Sequence, residues 1–412
     1  MSLFNSTIFE VALPVPLRRT FEYGCLIEPS ELEKHHKNQI VGLRVLVPFS
    51  GQTLVGIITR VKQDSDFPIE KLKAIISVID AKPLFKKQDF DYLNWAARYY
   101  QHPLGEVFHA AIPKLLRENK SQDDLLEKQL VPCKEMPIEF PANAKARLQL
   151  QSLLNERESL NKSQLKEHGI KSTTIKLFVD NTWSKWQTTQ LNKNLVSSEH
   201  INPHLQLNTE QAIAVTAINH HKNHQCFLLE GITGSGKTEV YLQAIEQVLL
   251  KQQQVLICVP EIGLTPQTIS RFEQRFNVNI SLWHSGMTDS QRANTWLQTQ
   301  SGFANIVIST RSGVFLPFES LGMVIIDEEH DLSFKQQDSF KYHCRSIALY
   351  RANQLGIPVV LGSATPSLES LANAQNNKYQ HLTLTQRAAG SVLPQMKLLD
   401  LNQCRVQSGI GE

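Results

Sequence analysis

The pattern of apolar and polar positions divides the chain into a strand-rich first part, a helical middle part and a long part where strands and helices alternate. Four short β-branched or alternating runs lie in the first part, at residues 8–13, 41–47, 54–61 and 75–79. Ser50 and Gly51 separate the second run from the third. Residues 90–100 then carry apolar side chains at helical spacing. This part is predicted to be a small β domain that ends in a helix.

The middle part, from about 106 to 195, is rich in Lys, Glu, Gln and Asn, with Leu at helical intervals. It predicts helices over residues 144–154 and 163–167, and a helix or a strand over 173–179. Residues 183–186 then favour a β conformation. This order suits a winged-helix module, and a plain helical linker domain is the alternative.

The last part contains six apolar runs of strand length, at residues 226–229, 255–259, 280–283, 305–309, 323–326 and 358–361. Helical segments lie between most of them. Alternating strands and helices, with strands that are almost wholly apolar, are typical of a parallel sheet covered on both faces. Ligands of such sheets bind at the carboxyl ends of the strands.

Composition limits the number of domains and the class of protein, but it does not indicate a function. The 412 residues suggest two or three domains, and 42 Lys+Arg against 39 Asp+Glu give a formal charge of only +3. This charge neither requires nor excludes a nucleic-acid partner. No apolar stretch reaches the ~18–20 residues of a membrane span, and the first residues do not form a secretory signal. We expect a soluble cytoplasmic protein with no membrane partner.

Cysteine and histidine spacing gives no metal site. The six cysteines are scattered without a C-x-x-C pair, which argues against a disulfide framework and a zinc knuckle. His220, His221 and His224 form the one histidine cluster to weigh, and their polar neighbours favour a solvated helix end. We assign no zinc to this chain.

A glycine-rich segment predicts a phosphate-binding loop. It matches the pattern G-x-x-x-x-G-K-[ST] and consists of Gly231, Ile232, Thr233, Gly234, Ser235, Gly236, Lys237 and Thr238. The glycines let backbone N–H groups surround phosphate oxygens, Lys237 adds a charge for the β- and γ-phosphates, and the Thr238 hydroxyl suits Mg²⁺. A helix that begins near Lys237 points its positive end at the nucleotide. ATP and Mg²⁺ are therefore the expected cofactors.

An acidic segment follows the apolar run at residues 323–326. That strand would bring Asp327 to the carboxyl edge of the sheet, where it can hold Mg²⁺ through water. Glu328 would then orient and deprotonate the attacking water. Lys237, Asp327 and Glu328 are the predicted catalytic residues. An acidic strand end that caps the next helix is the alternative for this segment alone.

Two further segments belong to the same pattern. Residues 362–366, Gly-Ser-Ala-Thr-Pro, follow the last predicted strand, and their hydroxyls can hydrogen-bond both the acidic segment and DNA. Upstream of the loop, the Gln211 amide is suited to both adenine N6 and N7. The alternative is a helix whose N-cap is Thr209, and both readings can hold together.

The stretch after His330 mixes aromatic and cationic side chains: Phe334, Lys335, Phe340, Lys341 and Tyr342. Exposed rings can stack on bases while cations pair with phosphates. The polar residues 336–339 favour an exposed loop that binds DNA. Buried aromatic packing is the alternative.

Together these motifs resemble the PriA family of bacterial primosomal replication-restart helicases. The similar stretches are residues 11–17, 19–23, 207–211, 231–241, 259–267, 310–312, 327–330 and 362–366. The resemblance covers nearly the whole chain and is weakest at about 115–195. It implies an α/β fold, with a RecA-like parallel-sheet helicase lobe after a small β-rich DNA 3′-end-binding domain and a winged helix. The implied domains are residues 1–105, 106–195 and 196–400, with 401–412 starting the remainder.

The resemblance also implies the activity and the DNA contacts. It implies a superfamily 2, DEAH-type motor that runs 3′ to 5′, recognises stalled forks and D-loops, and promotes primosome assembly. Primosome proteins and single-stranded-DNA-binding protein are the implied partners. Phe21, Glu22, the turn at Gly51 and Lys73 would hold the nascent-strand 3′ end. In that pocket Phe21 would stack on the terminal base, Glu22 would accept from the 3′-hydroxyl and Lys73 would meet a phosphate. Arg311 would face DNA or the second lobe.

The family continues past residue 412 with a second motor lobe, two zinc clusters and a C-terminal domain. Zinc is therefore expected for the full-length family, but these 412 residues hold no ligands for it. One alternative is that this chain alone is a non-catalytic fork-binding module with weak ATP binding and no unwinding. Another is a related translocase, such as a restriction-type motor subunit, which shares the ATP motifs and needs no terminal-base pocket.

Overall fold

A five-stranded antiparallel sheet forms the first module of the computed structural model. Its strands are β1 (Ile8–Ala12), β2 (Phe21–Gly24), β3 (Arg44–Phe49), β4 (Gln52–Lys62) and β5 (Ser77–Val78), in the order β2-β1-β4-β3-β5. The structure describes residues 7–24, 40–126, 128–134, 136–137, 140–188, 191–203, 205–221 and 223–387, and the backbone of 406–407 and 410–411. The predicted β domain is therefore present, with the short strand β2 in addition.

This first sheet closes on itself. Gly24, at the end of β2, bridges to Ala74, just before β5, so the two outer strands meet. Ser50 and Gly51 connect β3 and β4 with φ values of +48° and +81°. Two successive left-handed residues match the twist of a tight hairpin, and glycine adopts this conformation without strain. The closed sheet encloses a core that includes Phe9, Val45 and Ile58.

Two helices follow, α1 (Lys87–Tyr99) and α2 (Leu104–Ala111), and they pack on the last part of the chain. The Arg351 guanidinium lies 3.2 Å from the Asp89 carboxylate, and both side chains are buried. The Trp296 indole donates a hydrogen bond of 3.1 Å to the Ala111 carbonyl. The first module and the last part therefore share one core, and the predicted boundary after residue 105 falls inside α2.

The middle module combines three helices with a three-stranded antiparallel sheet. In chain order its elements are β6 (Lys128–Pro132), α3 (Lys145–Arg157), β7 (Leu160–Asn161), α4 (Lys162–Glu167), α5 (Ser172–Asp180) and β8 (Ser184–Thr188). The strand order is β7-β6-β8. Residues 173–179 are thus helical, and the module has the helices and the terminal strand that a winged helix requires.

A seven-stranded parallel sheet organises the remainder. Its strands are β9 (Cys226–Gly231), β10 (Gln254–Cys258), β11 (Ile280–Trp283), β12 (Ile306–Ser309), β13 (Leu321–Ile326), β14 (Val359–Ser363) and β15 (Gln380–Leu384), in the order β11-β12-β10-β13-β14-β9-β15. Strands β10, β12, β13 and β14 are buried along their whole length. Burying each valine, leucine, isoleucine or methionine side chain of these strands stabilises the fold by roughly 1.5–3 kcal/mol. The predicted RecA-like parallel-sheet lobe is confirmed.

Helices cover both faces of this sheet. They are α6 (Thr209–Asn219), α7 (Lys237–Leu250), α8 (Pro266–Arg275), α9 (Asp289–Gln300), α10 (Cys344–Leu355) and α11 (Leu368–Gln375). Strands β9 and β13 are separated in the sheet by β14 alone, so the loops that follow them open at the same edge. Among the described helices, none has the length and apolar character needed to cross a membrane.

Candidate nucleotide and DNA sites

The phosphate loop joins the end of β9 to the first residue of α7. Gly234 and Gly236 have φ values of +80° and +84°, which turn the backbone inward between strand and helix. The Lys237 ammonium donates a hydrogen bond of 2.8 Å to the Gly231 carbonyl, so the lysine lies across its own loop. A Cβ atom on Gly231 would lie 2.5 Å from the Ser235 hydroxyl. Only glycine fits there.

Asp327 and Glu328 line the same cavity as this loop. The cavity has a volume of about 900 Å³, and its walls include Thr233, Lys237 and Thr238. Ile232, at the rim, is 44% exposed, so the loop is accessible from solvent. The acidic residues and the phosphate loop therefore line one cavity that is open to solvent.

The residues present fit a magnesium nucleotide. The Ser235 hydroxyl is buried and makes no hydrogen bond to the described residues, as expected of a group in a loop built around phosphate oxygens. The loop leads directly into the N-terminus of the long helix α7, and the positive end of the helix dipole there favours an anion. Thr238 and Asp327 supply the hard oxygen atoms that Mg²⁺ prefers.

Asp327 is held by a tyrosine on α7. The Tyr241 hydroxyl donates to the Asp327 carboxylate over 2.9 Å. Burial raises the pKa of Asp327, while Tyr241 and Lys237 oppose this effect. Burial and the nearby Asp327 charge together raise the pKa of Tyr241 well above its usual range. Tyr241 is thus the donor, and sequence reasoning had given it no role.

The Gln211 side chain supports the phosphate loop through a hydrogen bond to its backbone. Its side-chain amide donates to the Ser235 carbonyl over 2.8 Å and accepts from the Asn208 N–H over 2.9 Å. The side chain is only 3% exposed, so both polar ends of the amide are already used inside the protein. The N-cap of α6 is Asn208, which corrects the expectation that Thr209 caps this helix.

Glu329, the third acidic residue of the segment, was missed by the sequence analysis. It accepts from the Ser367 N–H over 2.7 Å and from the Ser370 hydroxyl over 2.9 Å, and it pairs with Arg345. Burial alone raises the pKa of Glu329, but the Ser367 amide and Arg345 outweigh it, so the pKa lies below its ordinary value. Glu329 therefore ties the acidic segment to α10 and α11.

His330 connects the acidic segment to the end of β14. A hydrogen bond of 2.7 Å joins its Nδ1 to the Ser363 hydroxyl, which also accepts from the Thr365 N–H over 3.0 Å. This is the link between the acidic segment and residues 362–366 that their hydroxyl groups predicted. Glu328 precedes this link with a φ of +49°, a conformation that costs free energy for a residue with a side chain.

The aromatic stretch after His330 is not an exposed loop, and this expectation was wrong for its three rings. Phe334, Phe340 and Tyr342 are 1%, 4% and 6% exposed. Phe340 packs against Tyr100 of the first module at a centroid distance of 6.0 Å and against Phe315 at 5.9 Å. Because their faces are covered by protein, these rings cannot stack on bases in this structure.

The cations of the same stretch remain accessible. Lys335 and Lys341 are exposed between the buried rings. Arg311, the first residue of a short 3-10 helix after β12, donates to the Ser333 carbonyl over 3.1 Å and so borders this stretch. Contacts from here to DNA would therefore go to phosphates.

The four residues of the implied 3′-end pocket lie on the closed sheet. Phe21 contacts Phe49 at a centroid distance of 4.9 Å, and Gly51 forms the exposed hairpin tip just beyond Phe49. The Lys73 carbonyl accepts from the Gly24 N–H over 2.9 Å, which places Lys73 beside the end of β2. Phe21, Gly51 and Lys73 thus sit on adjoining edges of one small sheet.

Glu22 is already engaged by neighbours. Its carboxylate accepts from Lys62 over 2.5 Å and from the Ser65 hydroxyl over 2.6 Å. Burial alone raises the pKa of Glu22, but these donors outweigh it and lower the pKa below its ordinary value. A 3′-hydroxyl would therefore share or replace one of these donors.

The histidine cluster has no metal-binding geometry. His220, His221 and His224 each make a hydrogen bond to a backbone carbonyl, those of Thr216, Ile218 and Ile357. Over the described residues, no group of three or more His, Cys, Asp or Glu side chains could hold a metal ion.

Two family models match the chain. A 3′ DNA-binding domain model of the PriA family matches residues 10–113, and a DEAD/DEAH box helicase model matches residues 208–374. The first model covers the closed sheet with α1 and α2, and the second covers the parallel sheet as far as α11.

Curated relatives match almost all of the chain. Replication restart protein PriA of Haemophilus influenzae is 42% identical over 98% of this chain and 55% of its own length. Replication restart protein PriA of Bacillus subtilis is 29% identical over 93% of this chain and 56% of its own length. A solved structure of RecG bound to a three-way DNA junction matches 48% of this chain and 27% of RecG, with 24% identity and a TM-score of 0.37. The chain spans about half the length of the curated relatives it matches.

Proposed function

The chain belongs to the PriA family over the half of its relatives' length that it spans, and from this premise we propose an ATP-dependent DNA helicase of replication restart. The whole protein would move 3′ to 5′, recognise stalled forks and D-loops, and promote primosome assembly in the cytoplasm. The observation that carries the proposal is the cavity shared by the phosphate loop, Asp327 and Glu328. Its proposed partners, by family resemblance, are primosome proteins and single-stranded-DNA-binding protein.

In the nucleotide site each residue has a separate task. Lys237 would leave the Gly231 carbonyl and pair with the β- and γ-phosphates. Thr238 and Asp327 would hold Mg²⁺, which neutralises charge on the phosphate oxygens when bound. Glu328 would accept the proton of the attacking water. Gln211 would keep the loop in place through Ser235.

In the first module, the 3′ end of a DNA strand would bind beside Phe21. The ring is half-buried against Phe49 and offers its remaining surface to the terminal base. Glu22 would accept from the 3′-hydroxyl after giving up one of its present donors, and Lys73 is exposed and free to reach a phosphate.

Fork binding tests this assignment. Affinity is measured by fluorescence anisotropy on forks whose nascent 3′ end carries a hydroxyl or a phosphate. The hydroxyl should bind more tightly, and Phe21→Ala should weaken binding by roughly 1–3 kcal/mol, the range for stacking on one base. Equal affinity for both ends in the wild type would favour a translocase without a terminal pocket.

A second candidate concerns the 412-residue polypeptide by itself. Its nucleotide cavity is lined by the phosphate loop, the acidic residues, the segment at Pro203 and Leu205, and α8 with Arg271 and Arg275. The family resemblance implies further arginine contacts to the γ-phosphate from a second motor lobe. We propose that this polypeptide binds forks and nucleotide without unwinding. Robust strand separation of a labelled fork by this polypeptide would refute the second candidate.

A further inference from the structure

A cleft rich in arginine lies where the closed sheet, α1 and α10 meet. Two adjoining cavities of about 390 and 550 Å³ share Thr20, Asn94, Arg98 and Leu104 among their walls. We call the two together the arginine cleft, after the four side chains Arg18, Arg19, Arg60 and Arg98 that line it.

These arginines are not neutralised by protein. All four are exposed, and none forms an ion pair with a carboxylate of the described residues. Glu10 and Asp91 also line the cleft, and Glu10 lies 3.7 Å from the Lys62 ammonium, which offsets part of its charge. The cleft therefore keeps an excess of positive charge, and a polyanion is the ligand that such a charge selects.

An aromatic stack of three rings borders the cleft, and two of its rings, Trp95 and Tyr350, line the cleft. Trp95 stacks on Tyr350 with centroids 4.0 Å apart and rings 9° from parallel, and it stacks on Tyr99 at 4.8 Å and 19°. Tyr99 is 61% exposed, so this stack ends at the protein surface. Proteins that bind single-stranded nucleic acid without sequence preference combine cations that contact the phosphates with exposed aromatic rings on which the bases stack.

The cleft is continuous with the proposed terminal pocket. The Arg19 guanidinium lies over the Phe21 ring, 5.0 Å from its centroid, and Arg18 hydrogen-bonds Gln101 at the end of α1 over 3.3 Å. Arg98 and Tyr99 are the last two residues of that helix. A strand that ends on Phe21 would thus meet Arg19 first and the α1 residues next.

We propose that the arginine cleft binds the single-stranded DNA segment that precedes a 3′ terminus, with Tyr99 stacking on a base and Arg98 pairing with a phosphate. This inference rests on the proposed function for its ligand, since the segment is the continuation of the strand held at Phe21. It assigns DNA contacts to α1 and to the surface that faces Tyr350, neither of which the sequence motifs indicated.

The test uses a single-stranded oligonucleotide of about 12 nucleotides with a free 3′-hydroxyl, labelled at its 5′ end. Affinity is measured by anisotropy over a series of salt concentrations. Arg98→Ala should weaken binding several-fold and reduce the slope of log K against log salt by about 0.7, the value for one phosphate contact on a single strand. Tyr99→Ala should weaken binding by about 5-fold or more, and Tyr99→Phe should bind as the wild type.

Controls separate this proposal from folding defects and from the proposed function. Lys251→Ala also removes one positive charge, at the C-terminal end of α7, far from the phosphate loop. This control variant should leave the slope of log K against log salt unchanged. Arg98→Lys should restore most of the slope, and thermal unfolding checks that each variant is folded. A wild-type slope in Arg98→Ala together with wild-type affinity in Tyr99→Ala would overturn the proposal.

The 3′ terminus gives an independent readout. The affinity ratio between 3′-hydroxyl and 3′-phosphate oligonucleotides reports on the pocket at Phe21 and should be the same in Arg98→Ala and in the wild type. If the wild type shows no preference while Arg98→Ala still lowers the slope, the terminal pocket is wrong and the arginine cleft stands.

Discussion

The Tyr241 hydroxyl donates a hydrogen bond of 2.9 Å to the Asp327 carboxylate. This contact joins α7, which begins in the phosphate loop, to the acidic residues that follow β13. Gly362, at the end of β14, leaves the space that the tyrosine needs, because a Cβ atom there would lie 1.6 Å from the hydroxyl oxygen. Three segments that are far apart in the chain thus fix the position of one carboxylate.

The first prediction concerns this contact. Gly362→Ala should reduce the free energy of unfolding by roughly 1–3 kcal/mol, the usual cost of overpacking a core. Tyr241→Phe should cost about 1 kcal/mol, because one buried hydrogen bond is lost. The double variant should cost less than the two single costs added, since phenylalanine lacks the oxygen that clashes. Urea unfolding measures all three, and strict additivity would show that Tyr241 and Gly362 do not meet.

The second prediction concerns Asp327 and pH. The pKa of Asp327 in the folded protein lies above its ordinary value of 3.8, chiefly because the group is buried. The unfolded chain therefore loses this proton first, so ionisation reduces stability as the pH rises from 3.8 through the folded-state pKa. Asp327→Asn, which does not ionise, should be more stable than the wild type at neutral pH, and the difference should vanish in acid.

The nucleotide supplies the control for that variant. Magnesium and ATP together should raise the melting temperature of the wild type much more than that of Asp327→Asn, because the variant loses a metal ligand. A variant that is stabilised by the nucleotide as strongly as the wild type would remove Asp327 from the metal site.

The third prediction concerns Glu329, which makes no contact with the nucleotide cavity. Glu329→Gln leaves the Arg345 guanidinium, itself 15% exposed, without its anion. At neutral pH it should cost about 3 kcal/mol of unfolding free energy, the scale for breaking a buried ion pair. Because the pKa of Glu329 lies below its ordinary value of 4.5, the wild type should lose this stability as the pH falls below 4.5. The unfolding curves of the wild type and of Glu329→Gln should therefore differ at neutral pH and converge in acid.

The fourth prediction separates the two kinds of residue in the stretch after His330. Phe340→Ala should destabilise the fold by about 3–5 kcal/mol, since the ring is buried. Lys341→Ala, at the next position, should change stability by less than about 0.5 kcal/mol. If the lysine meets a phosphate, its loss should weaken DNA binding in a salt-dependent way. An unchanged stability in Phe340→Ala would restore the exposed-loop interpretation.

The sequence predicted the parts of the molecule whose pattern is local. Strands β10, β12 and β13 are almost wholly apolar because both faces are covered, and the apolar runs at residues 255–259, 305–309 and 323–326 located them to within one or two residues. The turn between β9 and α7 was equally readable, because Gly234 and Gly236 adopt left-handed backbone conformations that favour glycine. The short strand β2, by contrast, has four residues with no clear alternation, and pairing with β1 decides its conformation.

The sequence failed where distant segments decide the outcome. Phe340 stands among polar residues that favour a loop, and it is buried because Tyr100, in another module, covers it. Glu329 follows two acidic residues that line the cavity at the phosphate loop, and its own contacts are with Arg345 on α10 and with Ser367, which caps α11. The stack of Trp95 on Tyr350 likewise joins residues that no motif connects.

The most direct measurement is the binding of a fluorescent ATP analogue, with and without Mg²⁺, to the wild type and to Lys237→Ala, with fork DNA binding measured in parallel. The wild type should bind the analogue in a magnesium-dependent way. Lys237→Ala should lose nucleotide binding and keep its affinity for the fork, because the loop and the first module are separate sites. Equal nucleotide binding by both proteins, or loss of fork binding together with nucleotide binding, would contradict this account.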